Sequence, residues 1–178
     1  MNSINIQYYK TSIGELILGS SNQKLCLLDY RYRKTRQRVD NRLQKGLMAN
    51  YIEKDDSLLF ETRTQLDEYL SGIRHDFTIP LQMVGSEFQK SVWKALLKVP
   101  YGATSTYSNI AKNINNTKAV RAVASANGAN SISIIIPCHR IIGSNGKLVG
   151  YAGGLPVKKK LLSLENNDDL FNRQKTLL

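Results

Sequence analysis

Apolar and polar residues alternate at the start of this chain in the way that β-strands require. Three apolar runs of this type lie at residues 4–8, 16–19 and 24–30, and Gly14 and the polar segment 20–23 separate them. Strands that follow one another through short turns form a meander. The pattern therefore predicts a three-stranded meander.

The rest of the first eighty residues predicts a helix and a last strand. Residues 31–50 are charged, and their pattern identifies no element. Asp56 or Ser57 can N-cap a leucine-rich helix for which Gly72 supplies the C′ position. A strand is predicted near residues 77–81, so this half of the chain is expected to be an α/β domain.

Three short helices with tight turns are predicted after a domain boundary at residues 83–85, and such a group is typical of a helix-turn-helix unit. The first helix begins at a Ser86–Gln89 capping box and stops at Pro100 and Gly102, and the second spans residues 107–114. The third has Thr117 as its N-cap and stops at Asn127 and Gly128.

The last part of the chain predicts a buried extended strand, a turn, a helix and a tail. These elements are residues 132–136, 144–146, 155–165 and 166–178, and the polar tail is expected to be partly disordered. We therefore predict an α+β protein with an α/β domain at residues 1–82 and a mostly helical domain at residues 83–165.

The chain carries a formal charge of +11, and most of this excess lies in the second half. Residues 1–80 have 12 basic and 10 acidic side chains, whereas residues 81–178 have 13 basic and 4 acidic ones. A half with a net charge of +9 indicates a polyanionic partner, nucleic acid in the first place and an anionic membrane surface in the second. A basic domain without such a partner is the alternative, because charge bears on association and not on fold.

The sequence indicates neither a membrane span nor export. The longest nearly continuous apolar run, residues 132–137, is far too short to cross a bilayer, and residues 1–10 lack the basic-then-apolar order of a signal peptide. Cys26 and Cys138, the two cysteines, lie far apart in the sequence and cannot form a disulfide framework. We expect a cytoplasmic protein with two free thiols, and a monomer because no oligomerisation motif is visible.

Cys138 is the residue with the clearest chemistry. It follows an apolar run and a proline, which would hold a thiol rigidly, and the adjacent His139 and Arg140 can lower its pKa from about 8.5 towards neutrality. A rigid thiolate is a nucleophile. Taken alone, a Cys-His pair more often marks a small buried cysteine beside solvated polar residues.

Six motifs around this residue carry a family resemblance. They are VPYG at 99–102, AVRAV at 119–123, ANGAN at 126–130, PCHR at 137–140, GYAGGL at 150–155 and LLSLE at 161–165. In this order they resemble the O6-alkylguanine-DNA alkyltransferases, also called methylated-DNA–protein-cysteine methyltransferases. The resemblance covers residues 88–165, and it implies an RNase H-like first domain and a winged-helix-like second domain that contains the helix-turn-helix and the active-site cysteine.

By this resemblance the protein repairs DNA by moving the alkyl group of O6-alkylguanine, and less readily of O4-alkylthymine, onto Cys138. His139 would act through a water as the base, and Glu165 would orient the histidine. Asn130 would help to fix this network, and Tyr107 would donate to N3 of the leaving guanine. The product is a thioether, which water cannot hydrolyse, so each molecule reacts once.

The resemblance also implies a pocket for the alkylated base. Its residues would be Tyr151, Ala152, Gly153, Gly154, Ile141 and Lys158. Many relatives have a serine in place of Ala152, so backbone N–H groups must contact O6 here. The lysine run 158–160 also fits the solvated face of the last helix.

Double-stranded DNA that carries O6-alkylguanine is the implied partner, bound in the minor groove without sequence preference. The DNA-binding residues would be Thr117, Arg121, Ala122, Ser125, Ala126, Asn127 and Gly128. Arg121 would fill the gap left by a flipped nucleotide, and the small residues around it leave few side chains long enough to read base edges. On sequence alone, Arg121 also fits a surface arginine of an amphipathic helix.

Three other functions fit the sequence less well. A non-catalytic alkyltransferase-like protein would lack the cysteine, a helix-turn-helix transcription factor would need long polar side chains on its third helix, and a cysteine hydrolase would need no basic DNA face. We expect no cofactor and no metal. Some relatives hold zinc in the first domain through four ligands, but Cys26 and His75 are the only Cys or His that this half offers.

Overall fold

The structure, a computed structural model, describes residues 2–166 and has a mixed-sheet domain followed by a mostly helical domain, so the predicted α+β class is confirmed. The N-terminal elements are β1 (Asn2–Thr11), β2 (Gly14–Ser21), β3 (Lys24–Tyr30), α1 (Arg36–Leu47), β4 (Ala49–Glu53) and α2 (Ser57–Leu70). The C-terminal elements are α3 (Glu87–Leu96), β5 (Ser105–Thr106), α4 (Tyr107–Asn113), α5 (Val120–Gly128), β6 (Ile141–Ile142) and α6 (Leu155–Glu165). Apart from Asn166, the predicted tail 166–178 lies outside the described residues.

The N-terminal sheet has the strand order β3-β2-β1-β4. Strands β1, β2 and β3 pair antiparallel and form the predicted meander, whereas β4 pairs parallel to β1. Helix α1 and β4 occupy the charged segment in which the sequence identified no element. Helix α1 buries only Val39 and Leu43, one apolar pair four residues apart, and so short a stripe gives little helical periodicity.

The strand predicted near residues 77–81 is wrong. Only one isolated bridge forms there, in which Leu25 donates to Pro80 O and accepts from Gln82 N. Proline has no N–H to donate to a ladder, which limits pairing at this edge of β3. The preceding helix agrees with the prediction, because the Asp56 carboxylate caps α2 by accepting from Leu59 N at 2.8 Å.

The three short helices of the second domain are present, and the Ser86–Gln89 capping box of α3 is confirmed. The prediction that Thr117 caps the third helix is wrong. Helix α5 begins after Ala119, which makes no side-chain cap, and it includes Gly128. Thr117 is exposed in the turn before it.

The apolar run 132–136 is buried as predicted, but it is a turn and not a strand. Only Ile132 forms a bridge, with Leu28. The Asn130 side chain accepts from Ile132 N at 3.0 Å and donates to Ile136 O at 2.9 Å, which folds the segment back on itself. Ile134 takes a φ of +73°, a conformation that β-branched residues rarely adopt.

The two domains share one hydrophobic core. Leu18 and Leu28 of the sheet belong to the same buried cluster as Trp93 and Ile110 of the helical domain. The segment after α5 also hydrogen-bonds to β3 in both directions, since Leu28 N donates to Ser131 O and Ser133 N donates to Leu28 O. Among residues 2–166, no helix combines the length and the apolar character needed to span a bilayer.

Candidate active site

A cavity of about 480 Å³ brings together many of the predicted site residues at the junction of the two domains. The predicted residues that line it are Tyr107, Asn127, Gly128, Asn130, Cys138, Tyr151, Ala152 and Gly154. It is also lined by Arg33, Lys34, Thr35, Ala124 and Gly150, which the sequence did not predict. Three of these additions come from the N-terminal domain.

Cys138 lines this cavity and is the first residue of a 3-10 turn that follows Pro137. Its N–H donates to Ile136 O at 2.8 Å, and the same carbonyl accepts from the Asn130 side chain. The thiol is therefore held in place as expected, but by turns and an asparagine side chain and not by the end of a strand.

The expected lowering of the Cys138 pKa is not found. Burial raises the pKa of this thiol, and a hydrogen bond with Asn130 lowers it by less. Arg140 does not face the sulfur, because its guanidinium is engaged with Glu165 and with Val99 O. The resting side chain is a protonated thiol, which needs a base before it can attack.

His139 and Glu165 form a buried pair behind the cysteine. His139 Nε2 lies 2.7 Å from Glu165 Oε1, and neither side chain is more than 1% exposed. A carboxylate only accepts hydrogen bonds, so Nε2 carries the proton and Nδ1 keeps its lone pair. Among the described residues, the buried Nδ1 has no hydrogen-bond partner. Burial lowers the pKa of His139 although Glu165 opposes this effect, so the ring is a neutral base.

Glu165 is held by four further donors, of which the Gly102 N–H is the most distant at 3.5 Å. Arg140 donates to it through Nε and Nη2, both at 2.9 Å, and Tyr69 Oη donates to Oε1 at 2.7 Å. Burial alone would raise the carboxyl pKa, but the hydrogen bonds from His139 and Arg140 outweigh it and lower the pKa to about 2. Tyr69 belongs to α2, so the N-terminal domain supports this site through a residue that no sequence motif marked.

Tyr30, at the end of β3, supports the cavity wall from the same domain. Its hydroxyl lies 2.8 Å from that of Tyr151, and the two rings meet edge to face. Gly153 does not line the cavity but packs on the Tyr30 ring so closely that a Cβ would lie 2.6 Å from it. A side chain at Gly153 would displace this wall, which explains the glycine without any contact to substrate.

Lys158 is buried, so its predicted place on a solvated helix face is wrong. Its Nζ donates to the carbonyl oxygens of Ile141, Val149 and Gly150, and burial lowers its pKa. Neither Lys158 nor the buried Ile141 lines the cavity. The lysine instead fixes the segment that leads into the cavity wall at Gly150.

Tyr107 is the first residue of α4 and is half-buried beside the cavity. Burial and the nearby Cys138 both raise the pKa of its hydroxyl. A tyrosine in this state keeps its proton and can donate a hydrogen bond to a molecule in the cavity.

Helix α5 divides its predicted DNA-binding residues between two faces. Arg121, Ala122, Ser125 and Gly128 are exposed. Ala126 is 2% exposed and packs in the core, where its carbonyl accepts from Trp93 Nε1, so its side chain is not available to DNA. Asn127 is buried and faces the cavity. Trp93 and Cys26 are both buried in the core.

Arg33 ties the N-terminal domain to the end of α5. Its guanidinium donates to Gly128 O at 2.6 Å and to Asn130 O at 3.2 Å, and it forms an ion pair with the buried Asp29. The density of basic residues after position 30 is the one sequence signal that pointed to this segment.

Comparison with known proteins identifies the family. Residues 4–83 match the sequence profile of the ribonuclease-like domain of 6-O-methylguanine DNA methyltransferase, and residues 87–167 match that of its DNA binding domain. A methylated-DNA–protein-cysteine methyltransferase of Methanosarcina acetivorans is 42% identical over 159 residues, which are 89% of this chain and 96% of that protein. One of Mycobacterium leprae is 41% identical over 170 residues, 94% and 95% of the two chains.

A crystal structure of Mycobacterium tuberculosis OGT in complex with DNA matches with a TM-score of 0.78 at 36% identity and covers 92% of this chain and 93% of that one. Both domain profiles, the relatives and the fold agree. The chain belongs to the 6-O-methylguanine DNA methyltransferase family and is a DNA-repair protein that transfers an alkyl group to a cysteine.

Proposed function

We propose that Cys138 is the cysteine that accepts the alkyl group from O6-alkylguanine, and less readily from O4-alkylthymine. The observation that carries this assignment is a buried thiol lining a base-sized cavity, followed directly by the buried His139–Glu165 pair. Cys26 offers no alternative, because it is buried in the sheet, donates to Gly19 O, and has its pKa raised to about 12 by burial.

In the proposed step, His139 Nδ1 takes the thiol proton through a water, and Glu165 stabilises the imidazolium that forms. The sulfur electron pair forms a bond to the alkyl carbon while the carbon–O6 bond breaks, and its electrons leave with guanine. Tyr107 donates a hydrogen bond to N3 of the leaving base, which becomes neutral guanine when it takes up a proton from solvent. The His139 imidazolium returns the thiol proton to solvent, so no net proton is gained or lost. The protein ends as a thioether, so the turnover is single and irreversible.

The neighbouring residues have supporting roles in this proposal. Asn130 holds the turn that carries Cys138, and the backbone N–H of Ala152 contacts the base from the cavity wall. The Gly154 N–H donates to Tyr151 O at 3.0 Å and holds the wall itself. Gly153 and Lys158 act indirectly, through packing on Tyr30 and through the carbonyls before the wall.

We propose that a monomer binds the minor groove of duplex DNA through the exposed face of α5, together with Thr117 in the turn before this helix. This face has small residues and one long side chain, Arg121, which fits close sequence-independent contact with the sugar-phosphate surface. The target nucleotide flips into the cavity, and Arg121 fills the gap. We place the domain limits at residues 1–82 and 83–165.

The test is intact-protein mass spectrometry after incubation with a duplex that contains O6-methylguanine. We expect the wild-type protein to gain one methyl group in place of a proton, and peptide analysis to place it on Cys138. Cys138→Ser should gain nothing yet still bind DNA, since a hydroxyl is a far poorer nucleophile at neutral pH. Cys26→Ser is the matched control and should react as the wild type does. Methyl transfer to Cys138→Ser near the native rate would rule out this assignment.

A further inference from the structure

We propose that the N-terminal domain adds a second phosphate-binding surface to the DNA interface, formed by Lys34 and Arg38. This surface lies beside α5 and rests on the proposed function only in that duplex DNA occupies the face of α5. It extends the DNA interface beyond the helical domain. The net charges of the two half-chains had indicated the helical domain alone.

The charge of the N-terminal domain is concentrated in one segment. Residues 31–45 contain seven of the twelve basic side chains of residues 1–80 and a single acidic one, Asp40. The small net charge of the first half therefore hides a strongly basic segment, which includes the turn before α1 and most of that helix.

Most of these cations are already engaged within the protein. Arg33 and Arg36 pair with the buried Asp29, and Arg36 also pairs with Asp40. Arg42 donates to the carbonyl oxygens of Val84 and Ala129.

Lys34 and Arg38 differ from these residues. Both are exposed, and neither has an ion pair or a side-chain hydrogen bond with any of residues 2–166. Lys45 is also exposed and has no such partner among residues 2–166, but it lines a different groove, to which no residue of α5 contributes. Lys34 and Arg38 are therefore the two cations of this segment that lie beside α5 and remain free to bind an external anion.

Their positions bracket the exposed face of α5. Lys34 lines the cavity that contains Cys138. Arg38 lines a groove of about 750 Å³ in which α1 forms one wall and Ala122, Ser125 and Gly128 of α5 form part of the other. The residues that line this groove include three arginines and no carboxylate. A polyanion laid along α5 would therefore meet these two cations, one at the cavity mouth and one across the groove.

The test is the salt dependence of binding to an undamaged duplex, measured by fluorescence anisotropy between about 50 and 200 mM salt. Each phosphate contact contributes about 0.9 to the slope of log K against log salt, so Lys34→Ala/Arg38→Ala should lower the slope by nearly 2 and the affinity at 0.1 M salt by about ten-fold or more. The matched control is Lys24→Ala/Lys54→Ala, which removes the same charge from exposed positions. Lys24 begins β3, at the opposite end from Tyr30, and Lys54 follows β4 on the far edge of the sheet.

The surface is supported if Lys34→Ala/Arg38→Ala binds DNA with a smaller salt slope and a lower affinity, while the control double variant binds as the wild type does. The thermal unfolding midpoints of both double variants should stay close to that of the wild type. Equal slopes for the two double variants would overturn it, because the effect would then be one of net charge alone. Failure of the proposed function would look different. The wild-type protein would bind the duplex and gain no methyl mass, and the slopes would still decide the question of the surface.

Discussion

Glu165 is the residue at which the chemistry of the site depends most on a single charge. Its carboxylate accepts hydrogen bonds from His139, Arg140 and Tyr69, and the side chain is 1% exposed. The same contacts that fix the histidine tautomer also keep Glu165 ionised, with a pKa of about 2. Catalytic orientation and stability are therefore linked at this residue.

We expect Glu165→Gln to destabilise the protein at pH 7 by about 3 kcal/mol, the free energy of a pKa lowered from 4.5 to about 2. The folded-state pKa is below the unfolded one, so this contribution is complete above pH 4.5 and is lost as the pH falls towards 2. Urea unfolding at pH 7 and pH 3 should show the difference between wild type and variant shrinking by about half.

Glu53→Gln, at an exposed position of β4, serves as the control and should change stability by less than about 0.5 kcal/mol at either pH. A difference between Glu165→Gln and wild type that does not depend on pH would mean that the carboxylate is not held in its charged form.

For Arg121, a role in DNA binding can be separated from a role in the fold by comparing two substrates. It is exposed on α5 and does not line the cavity. If it fills the gap of a flipped nucleotide, Arg121→Ala should slow reaction with O6-methylguanine in a duplex by about ten-fold or more, because flipping costs a few kcal/mol. Reaction with the free base analogue O6-benzylguanine, which needs no flipping, should change little.

Rates of alkyl transfer from each of the two substrates to the protein provide the measurement for Arg121, and Lys118→Ala, at an exposed position in the turn before α5, is a suitable control. Equal slowing with both substrates would show that the arginine supports the fold or the cavity. If neither reaction slows, Arg121 is only a surface charge.

At the scale of elements, α6 is attached to the cavity wall through one buried lysine. Lys158 donates to carbonyl oxygens before and within the wall, and the neighbouring Lys159 is exposed. We expect Lys158→Met to cost about 1–3 kcal/mol, since the buried Ile141 carbonyl and the partly buried carbonyls of Val149 and Gly150 lose their donor, and to slow the reaction with O6-benzylguanine.

Lys159→Met removes the same charge from the same helix and should leave stability within about 0.5 kcal/mol of the wild type. Thermal unfolding and the rate of thioether formation would compare the two variants. Equal effects of the two substitutions would show that the buried hydrogen bonds do not position the wall.

The elements that sequence patterns predicted are those whose signals are local. The capping box of α3 and the alternation in β1–β3 depend on residues that are close together in the sequence, and both are confirmed. The run 132–136 has the composition of a strand, but hydrogen bonds from the Asn130 side chain fold it into a turn. A side-chain hydrogen bond of this kind produces no periodic pattern in the sequence. Lys158 looks like its two neighbours in sequence, and only tertiary packing buries it.

The residues of the candidate site divide in the same way, into those that a local sequence motif identifies and those that only tertiary contacts identify. Cys138, His139 and Glu165 are found by motif, because the reacting groups must be of one chemical type. Tyr30 and Tyr69 support them from the N-terminal domain through contacts across more than ninety residues of sequence. A buried tyrosine is an ordinary core residue until its partner is known, so no sequence signal separates these two from the other tyrosines.

At the scale of the whole molecule, the two domains form one structural unit. The N-terminal domain provides the donor that holds Glu165, the hydroxyl that meets Tyr151, and the arginine that binds the end of α5. The residues proposed to be catalytic all belong to the other domain, so the candidate site is complete only when both are packed together. This arrangement couples the geometry of the cavity to the stability of a domain that holds no reacting group.

The shared core leads to a prediction about unfolding. Because one buried cluster contains residues of both domains, we expect a single cooperative transition, with a calorimetric enthalpy of about 125 kcal/mol near 60 °C that equals the van't Hoff value. Trp93 is the only tryptophan and lies in the second domain, so its fluorescence reports that domain, while far-UV circular dichroism reports both. The two midpoints in urea should coincide. Two separate midpoints would mean that the domains unfold independently and that the contacts of Tyr30, Tyr69 and Arg33 do not couple them.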